Sequence, residues 1–147
     1  MAYEQLKLAN QVCFRLYTAS RLVTQAYAPY FKQMGITYPQ YLVLMLLWEH
    51  DNCVVSEITD RLKLETNTVT PLLQRMEKQG LVVRSRGLVD TRQRLVSLTP
   101  KGKKLEEQAK EIPHCLLSDL ACKGLKIDQL ASIGSLLDEL IGVLQKQ

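Results

Sequence analysis

The chain has 147 residues, 46% of them hydrophobic, with four cysteines and a formal net charge of +4. That length and apolar content bury a core within one domain without a disulfide scaffold, and the excess of cations suits a polyanionic partner. Residues 41–48 are the densest apolar run and are much too short to span a bilayer. No basic patch followed by an apolar signal core is present, so a cytoplasmic protein with reduced thiols and no membrane partner is expected. No internal repeat or low-complexity linker marks a second independent domain.

Near the N-terminus Val12, Leu16, Ala19, Val23, Ala26 and Tyr30 alternate steps of four and three, the spacing of one helical face. Cys13 and Tyr17 lie four apart, so the same helix sets them on a common face. His50 reads as a helix-end residue and Cys53 as a loop or helix-end residue.

From Val55 to Thr99 two short helical patterns lead into a basic strand pair. Val55, Ile58 and Leu62 define the first helix, and Lys63 to Glu65 make the turn. In the second helix Val69, Leu72, Leu73 and Met76 form a buried face, leaving Asn67, Thr68, Thr70, Gln74, Arg75 and Lys78 outside. Such amides, hydroxyls and cations read base edges and phosphates in a DNA major groove about 12 Å wide, which admits a helix. With Thr66 as its cap, this helix carries Pro71 beyond the first position, where it lacks a donor and crowds the preceding turn. The apolar face on both sides argues for one helix with a strained or irregular start, and Gly80 stops it.

The period then changes. LVVRSR and RLVSLT are rich in β-branched and apolar residues, and Gly87 to Asp90 turn between them, which predicts a two-stranded wing. From Arg84 to Lys104 the wing and its exit hold Arg84, Arg86, Arg92, Arg94, Lys101, Lys103 and Lys104 against Asp90 as the single acid. Arg84, Arg86, Arg92 and Arg94 are assigned to phosphates and the minor groove, with Arg92 nearest the tip. Asp90 forms the turn and holds Arg92 or Arg94 in a bidentate pair. Thr99 caps a long connecting helix that starts at Pro100. Farther on, Leu130, Ile133, Leu137, Leu140 and Leu144 repeat the N-terminal stripe. Both stripes carry more apolar surface than a small winged domain covers, so two chains are expected to pair through them, placing two reading helices on half-sites roughly one DNA turn apart.

The order helix-turn-helix, R-x-R, then DTRQRLVSLTPKG resembles the MarR family of transcription regulators, over nearly the whole chain. The upstream pattern N-Q-x-C-F-x-L-Y, residues 10–17, is similar to the organic-hydroperoxide-sensing (OhrR-type) branch of that family. The resemblance implies a mainly α fold with a small β-hairpin wing (α+β), a winged helix-turn-helix at 36–100, and dimerisation helices at 1–35 and 101–147 of a single protomer spanning 1–147. It implies a homodimer on double-stranded DNA with a pseudo-palindromic operator, and an oxidant such as an organic hydroperoxide as effector. Cys13 maps onto the reactive cysteine, and Tyr17, Tyr27 and Tyr38 (in ITYPQY) onto tyrosines that hydrogen-bond its thiolate, across the dimer for Tyr27 and Tyr38. Cys115, in EIPHCLLSDL, falls where some members carry a resolving cysteine, with Cys122 as second choice; other members use small external thiols.

The chemistry stands apart from the resemblance. Only a thiolate attacks a peroxide, and a free thiol titrates near 8.5, so a sensing cysteine needs hydrogen-bond donors or positive charge beside it. Tyrosine hydroxyls are such donors. The sulfenic acid formed is captured by a second thiol as a disulfide. The expected function is a repressor released by oxidation. The alternative is a regulator that answers a small aromatic ligand. A thiol peroxidase is disfavoured, because neither a peroxidatic Thr-x-x-Cys loop nor a CxxC is present, so no enzyme is expected. No cofactor or metal is expected either: His50 and His114 are the only histidines, and His50 with Cys53 makes half a site.

Overall fold

The computed structural model describes residues 3–146; the outermost positions of the expected dimerisation segments, 1, 2 and 147, lie outside the described residues. Two single-turn 3-10 helices, Glu4–Leu6 and Leu8–Asn10, precede α1 (Val12–Ala26), α2 (Ala28–Met34) and α3 (Tyr38–Glu49). There follow β1 (Cys53–Val54), α4 (Val55–Leu62), α5 (Thr66–Lys78), β2 (Val82–Arg86), β3 (Arg94–Leu98) and α6 (Pro100–Ala109). The chain ends in α7 (Ile112–Cys122), a 3-10 turn Ile127–Gln129, and α8 (Leu130–Leu144). It divides into two compact units, Met1–Lys110 and Glu111–Gln147. Among the described residues no helix is long and apolar enough to cross a membrane.

In the first unit the core is built where the helical periodicity demands it. Val43, Leu44 and Leu47 of α3, Ile58 of α4, and Val69, Leu73 and Met76 of α5 are fully buried, and Leu81, Val82 and Val96 close the layer from the sheet side. α3 starts in a capping box: Gln40 N donates to Thr37 Oγ (3.4 Å) and Thr37 N to Gln40 Oε1 (3.1 Å). α4 ends with Lys63 in the left-handed region (φ 57°), where Leu64 N reaches back to Thr59 O at 3.1 Å. α5 ends in a Schellman motif. Leu81 N donates to Met76 O and Gly80 N to Glu77 O, both at 3.0 Å, around a left-handed Gly80 (φ 75°), and Leu81 and Met76 are buried together.

Several expectations are corrected. α5 is capped by Glu65, not Thr66, with no side-chain bond at that end. Its start is regular, with Thr68 N and Val69 N both donating to Glu65 O at 3.0 Å, and the helix runs unbroken through Pro71. Pro71 is exposed and removes one bond to the carbonyl of Asn67, itself exposed, so water replaces the lost donor. The expected two-stranded wing is the β2–β3 hairpin, and its sheet gains a third strand that was not expected. β1 pairs with β3 (Cys53 with Val96, Val54 with Leu95), giving a three-stranded antiparallel sheet ordered β1-β3-β2. Asp51 Oδ1 causes this, accepting from Leu98 N (2.9 Å) and Asn52 N (2.8 Å) and pinning the chain beside β3. Cys53 is therefore a buried strand residue rather than a loop residue. The turn of the wing occupies 87–93 rather than 87–90, because Asp90 begins a second turn in which Gln93 N donates to its carbonyl at 3.1 Å.

Thr99 caps α6 as expected, its Oγ accepting from Gly102 N at 3.1 Å and donating to Gly80 O at 2.5 Å. The connecting helix is shorter than expected. It ends at Ala109, four residues before Pro113, whose missing N–H and ring deny that carbonyl its helical partner. In the second unit α7 buries Ile112 and Leu116, and α8 buries no residue.

Candidate DNA interface and thiol site

α5 turns Asn67, Thr68, Gln74, Arg75 and Lys78 to solvent, with Thr70 half-buried on the same side. The wing folds back toward it, and a groove of about 460 Å³ separates them, lined by Ser56, Thr59 and Thr70 from the helices and by Arg84, Arg92 and Arg94 from the wing. Hydroxyls thus face guanidinium groups across a trough, a surface suited to an anionic backbone and the base edges behind it. At the end of the strand pair next to the turn, Arg86 stands directly opposite Arg94 in the β2–β3 register, and both are exposed. Like charges placed so are destabilising, and an anion between them relieves the repulsion.

Asp90 orients Arg92 but not through a bidentate pair. A single oxygen, Oδ1, accepts from Arg92 N at 3.0 Å and Arg92 Nε at 3.5 Å, an Asx turn that aims a side chain 93% exposed. Arg84 is held differently. Its Nη2 donates to Glu77 Oε1 (3.2 Å) and its backbone N to Glu77 Oε2 (3.1 Å), while Nε is buried with no hydrogen-bond partner among the described residues. The hydrogen bonds from Arg84 hold the Glu77 carboxyl below its ordinary value of 4.5. Arg84 thus fastens the wing to α5, whereas Arg86, Arg92 and Arg94 are exposed.

The sequence reading passed over Glu77, and no periodicity marks the pair. It also passed over Gln40, which carried a signal: Thr37-Tyr-Pro-Gln40 fits the capping-box spacing. Buried Gln40 donates to Gln79 Oε1 (2.8 Å), Gln79 Nε2 donates to Gly35 O (3.1 Å), and Lys101 Nζ donates to Gln79 O (2.8 Å). The C-terminal end of α5 is thereby tied to both the α2–α3 corner and α6.

Cys13 is the second residue of α1, exposed, and its thiol makes no hydrogen bond among the described residues. Tyr17 on the same face is 70% exposed and stacks on no ring among the described residues. Tyr27 and Tyr38 are brought together, ring centroids 5.2 Å apart, in a cluster with Phe31, Tyr41 and Trp48. Burial, then the neighbouring Tyr38, pushes the Tyr27 phenol above its ordinary 10.0, which keeps it an O–H donor. One chain therefore holds two separate parts of the expected site: an uncovered thiol with Tyr17, and a packed tyrosine pair. Cys115 and Cys122 lie on α7 and are exposed. Cys53 is unlike these three. Its thiol donates to His50 O at 3.0 Å, and burial, followed by Glu57, pushes it above the ordinary value of a thiol. His50 caps α3, its imidazole 3.7 Å from Glu49.

Residues 36–93 match the MarR family. The organic hydroperoxide resistance transcriptional regulator of Bacillus subtilis is 45% identical over 130 residues, 88% of each chain. Among solved structures, reduced AbfR bound to DNA, AbfR being a Staphylococcus epidermidis protein, superposes with a TM-score of 0.78 at 38% identity, covering 97% of this chain and 98% of that one. Disulfide-formed AbfR superposes less closely, with a TM-score of 0.65 at 39% identity over 94% and 95%. With its winged helix-turn-helix, its cation-lined reading face and relatives similar over nearly their full length, this chain belongs to the MarR family of DNA-binding transcription regulators and is not an enzyme.

Proposed function

We propose that this protein is a dimeric, cytoplasmic repressor that holds a pseudo-palindromic operator while Cys13 is reduced and releases it when an oxidant such as an organic hydroperoxide converts that thiol. The observation that carries this reading is the motif cysteine standing uncovered with Tyr17 on α1, a helix with no buried residue. A second copy packed on that face brings the Tyr27–Tyr38 pair of its own chain toward Cys13 as hydrogen-bond donors. The helical segments 1–35 and 101–147 supply the dimer, and 36–100 reads DNA.

The thiolate attacks one peroxide oxygen, the O–O bond breaks, and the alkoxide leaves with a proton as an alcohol, giving a sulfenic acid. The thiol of Cys115, or failing that Cys122, then attacks the sulfenic sulfur, expels water and forms a disulfide between subunits. The better superposition on reduced than on disulfide-formed AbfR supports a change of arrangement on that second step. Moving a population from 1:99 to 99:1 takes about 5.5 kcal/mol of differential stability, within reach of a covalent bond.

The test is DNA binding by anisotropy on the protein's own upstream region, before and after stoichiometric cumene hydroperoxide, for wild type and Cys13→Ser. Release by wild type with retention by the variant is expected, and non-reducing electrophoresis shows a dimer band lost in Cys115→Ser. If both proteins bind DNA and neither responds, the effector is a ligand or a different oxidant.

A further inference from the structure

Leu88 and Val89, at the tip of the wing, are 98% and 102% exposed, more than any other large hydrophobic residue among those described. They sit between Gly87, whose N–H donates to Gln93 O at 3.0 Å and closes the ribbon, and Asp90, which opens the turn aiming Arg92. The chain doubles back tightly: a Cβ on Gly87 would stand 2.6 Å from Asp90 O. The loop GLVDTRQ is otherwise polar or glycine, so the two apolar side chains are adjacent, at the apex, and flanked on both strands by the exposed cations Arg86, Arg92 and Arg94.

We propose that Leu88 and Val89 form an apolar prong that enters the DNA minor groove, packs on its deoxyribose walls, and discriminates against G·C pairs at its floor. The proposal rests on the DNA-reading assignment above and extends it to the bases under the wing tip. The prong is continuous with that interface, because Arg92 and the Arg86–Arg94 pair bracket it with the charge complementary to the two phosphate strands lining a minor groove about 6 Å wide. Sugar C–H surfaces form the walls there, and branched apolar side chains gain by losing water against them. At the floor A·T pairs present only acceptors, whereas G·C adds the guanine N2 amine. Leu and Val offer that amine no acceptor, so covering it strips its water without replacement, which is unfavourable. The prong therefore reads composition by exclusion, at positions that the α5 side chains do not touch.

The test measures binding of wild type, Leu88→Ser/Val89→Ser and Leu88→Ala/Val89→Ala to the upstream operator as a function of salt. In parallel, A·T pairs outside the major-groove half-sites are replaced in turn by I·C, which keeps the minor-groove face of A·T, or by G·C. Wild type is expected to accept I·C and to lose about tenfold in affinity on G·C at one or more positions, the low end of the usual cost of a wrong pair. Both double variants are expected to lose about tenfold on the unmodified operator with an unchanged salt slope, since no phosphate contact is removed, and to treat G·C and I·C alike. Their thermal unfolding should match wild type, as both side chains are exposed. Double variants that bind as tightly as wild type, or a wild type indifferent to G·C, overturn the proposal while leaving the DNA-reading assignment standing. Double variants that change the mass of the assembly but not its DNA affinity make the tip a protein contact and also overturn it. A wild type with no sequence-specific binding overturns both readings.

Discussion

Glu77 is the residue through which the reading helix and the wing share one position, since both its oxygens are taken by Arg84. Its carboxyl is held below its ordinary 4.5 by those hydrogen bonds, and the sign of the pH dependence follows. A group whose folded-state pKa is depressed contributes fully above its unfolded value and loses that contribution as pH falls through the folded one. Glu77→Gln should therefore be slightly less stable than wild type in urea at neutral pH, with the gap closing in acid once wild-type Glu77 is itself protonated. A gap that persists unchanged in acid shows that Glu77 stabilises by packing alone. Single residues of this kind were the least legible part of the sequence. The outward set on α5 follows from the helical period, and its members lie where that period puts them. The split between Arg84, engaged with Glu77, and the exposed Arg86 depends on a contact across two elements that no spacing encodes. Cys53 was misread for a related reason: β1 is two residues long, too short for alternation to show, and exists because Asp51 pins it.

At the scale of elements, α6 is held by close backbone approach as well as by its buried Leu105. Gly102 is buried in its first turn, its carbonyl accepts from Trp48 Nε1 at 3.0 Å, and a Cβ there would stand 2.3 Å from Leu81 O. The obstacle is backbone within the Schellman motif that ends α5, so it cannot yield like a flexible side chain. Gly102→Ala should force α6 away from Leu81 and cost about 1–3 kcal/mol, the usual range for overpacking, although alanine is the better helix former by about 1 kcal/mol. Denaturant unfolding measures the balance; a variant as stable as wild type means the contact relaxes without cost. Elements with a sustained period were legible: the buried face at 69, 72, 73 and 76 outweighs Pro71 because the lost bond falls at an exposed carbonyl. The end of α6 at Ala109 was also written in the chain, by Pro113 four residues on, but the apolar stripe beyond it hid the break.

For the whole molecule, the proposed dimer makes the terminal helices the elements through which two reading heads act together. α1 and α8 bury no residue within the chain, and Ile133, Leu136, Leu140 and Val143 of α8 are 48%, 65%, 39% and 65% exposed. The expected stripe contained Ile133 and Leu140; Leu136 and Val143 lie off it, so the apolar surface is wider than a simple two-helix seam and suits a partner that covers more than one side. In the proposed dimer, Ile133→Glu/Leu140→Glu places four carboxylates in that interface. Burying an unpaired charge costs several kcal/mol even after relaxation, while a carboxylate on the exposed helix of a lone chain costs little, so the substitution acts on association and leaves folding intact. Sedimentation should then show a monomer with unchanged helical content. Its operator binding should fall to that of one half-site, with a shallower salt slope, because roughly half the phosphate contacts remain. A variant that stays dimeric places the interface elsewhere. One that becomes monomeric yet keeps full operator affinity and slope separates reading from pairing, and removes the means by which a thiol on α1 acts on recognition helices held a DNA turn apart.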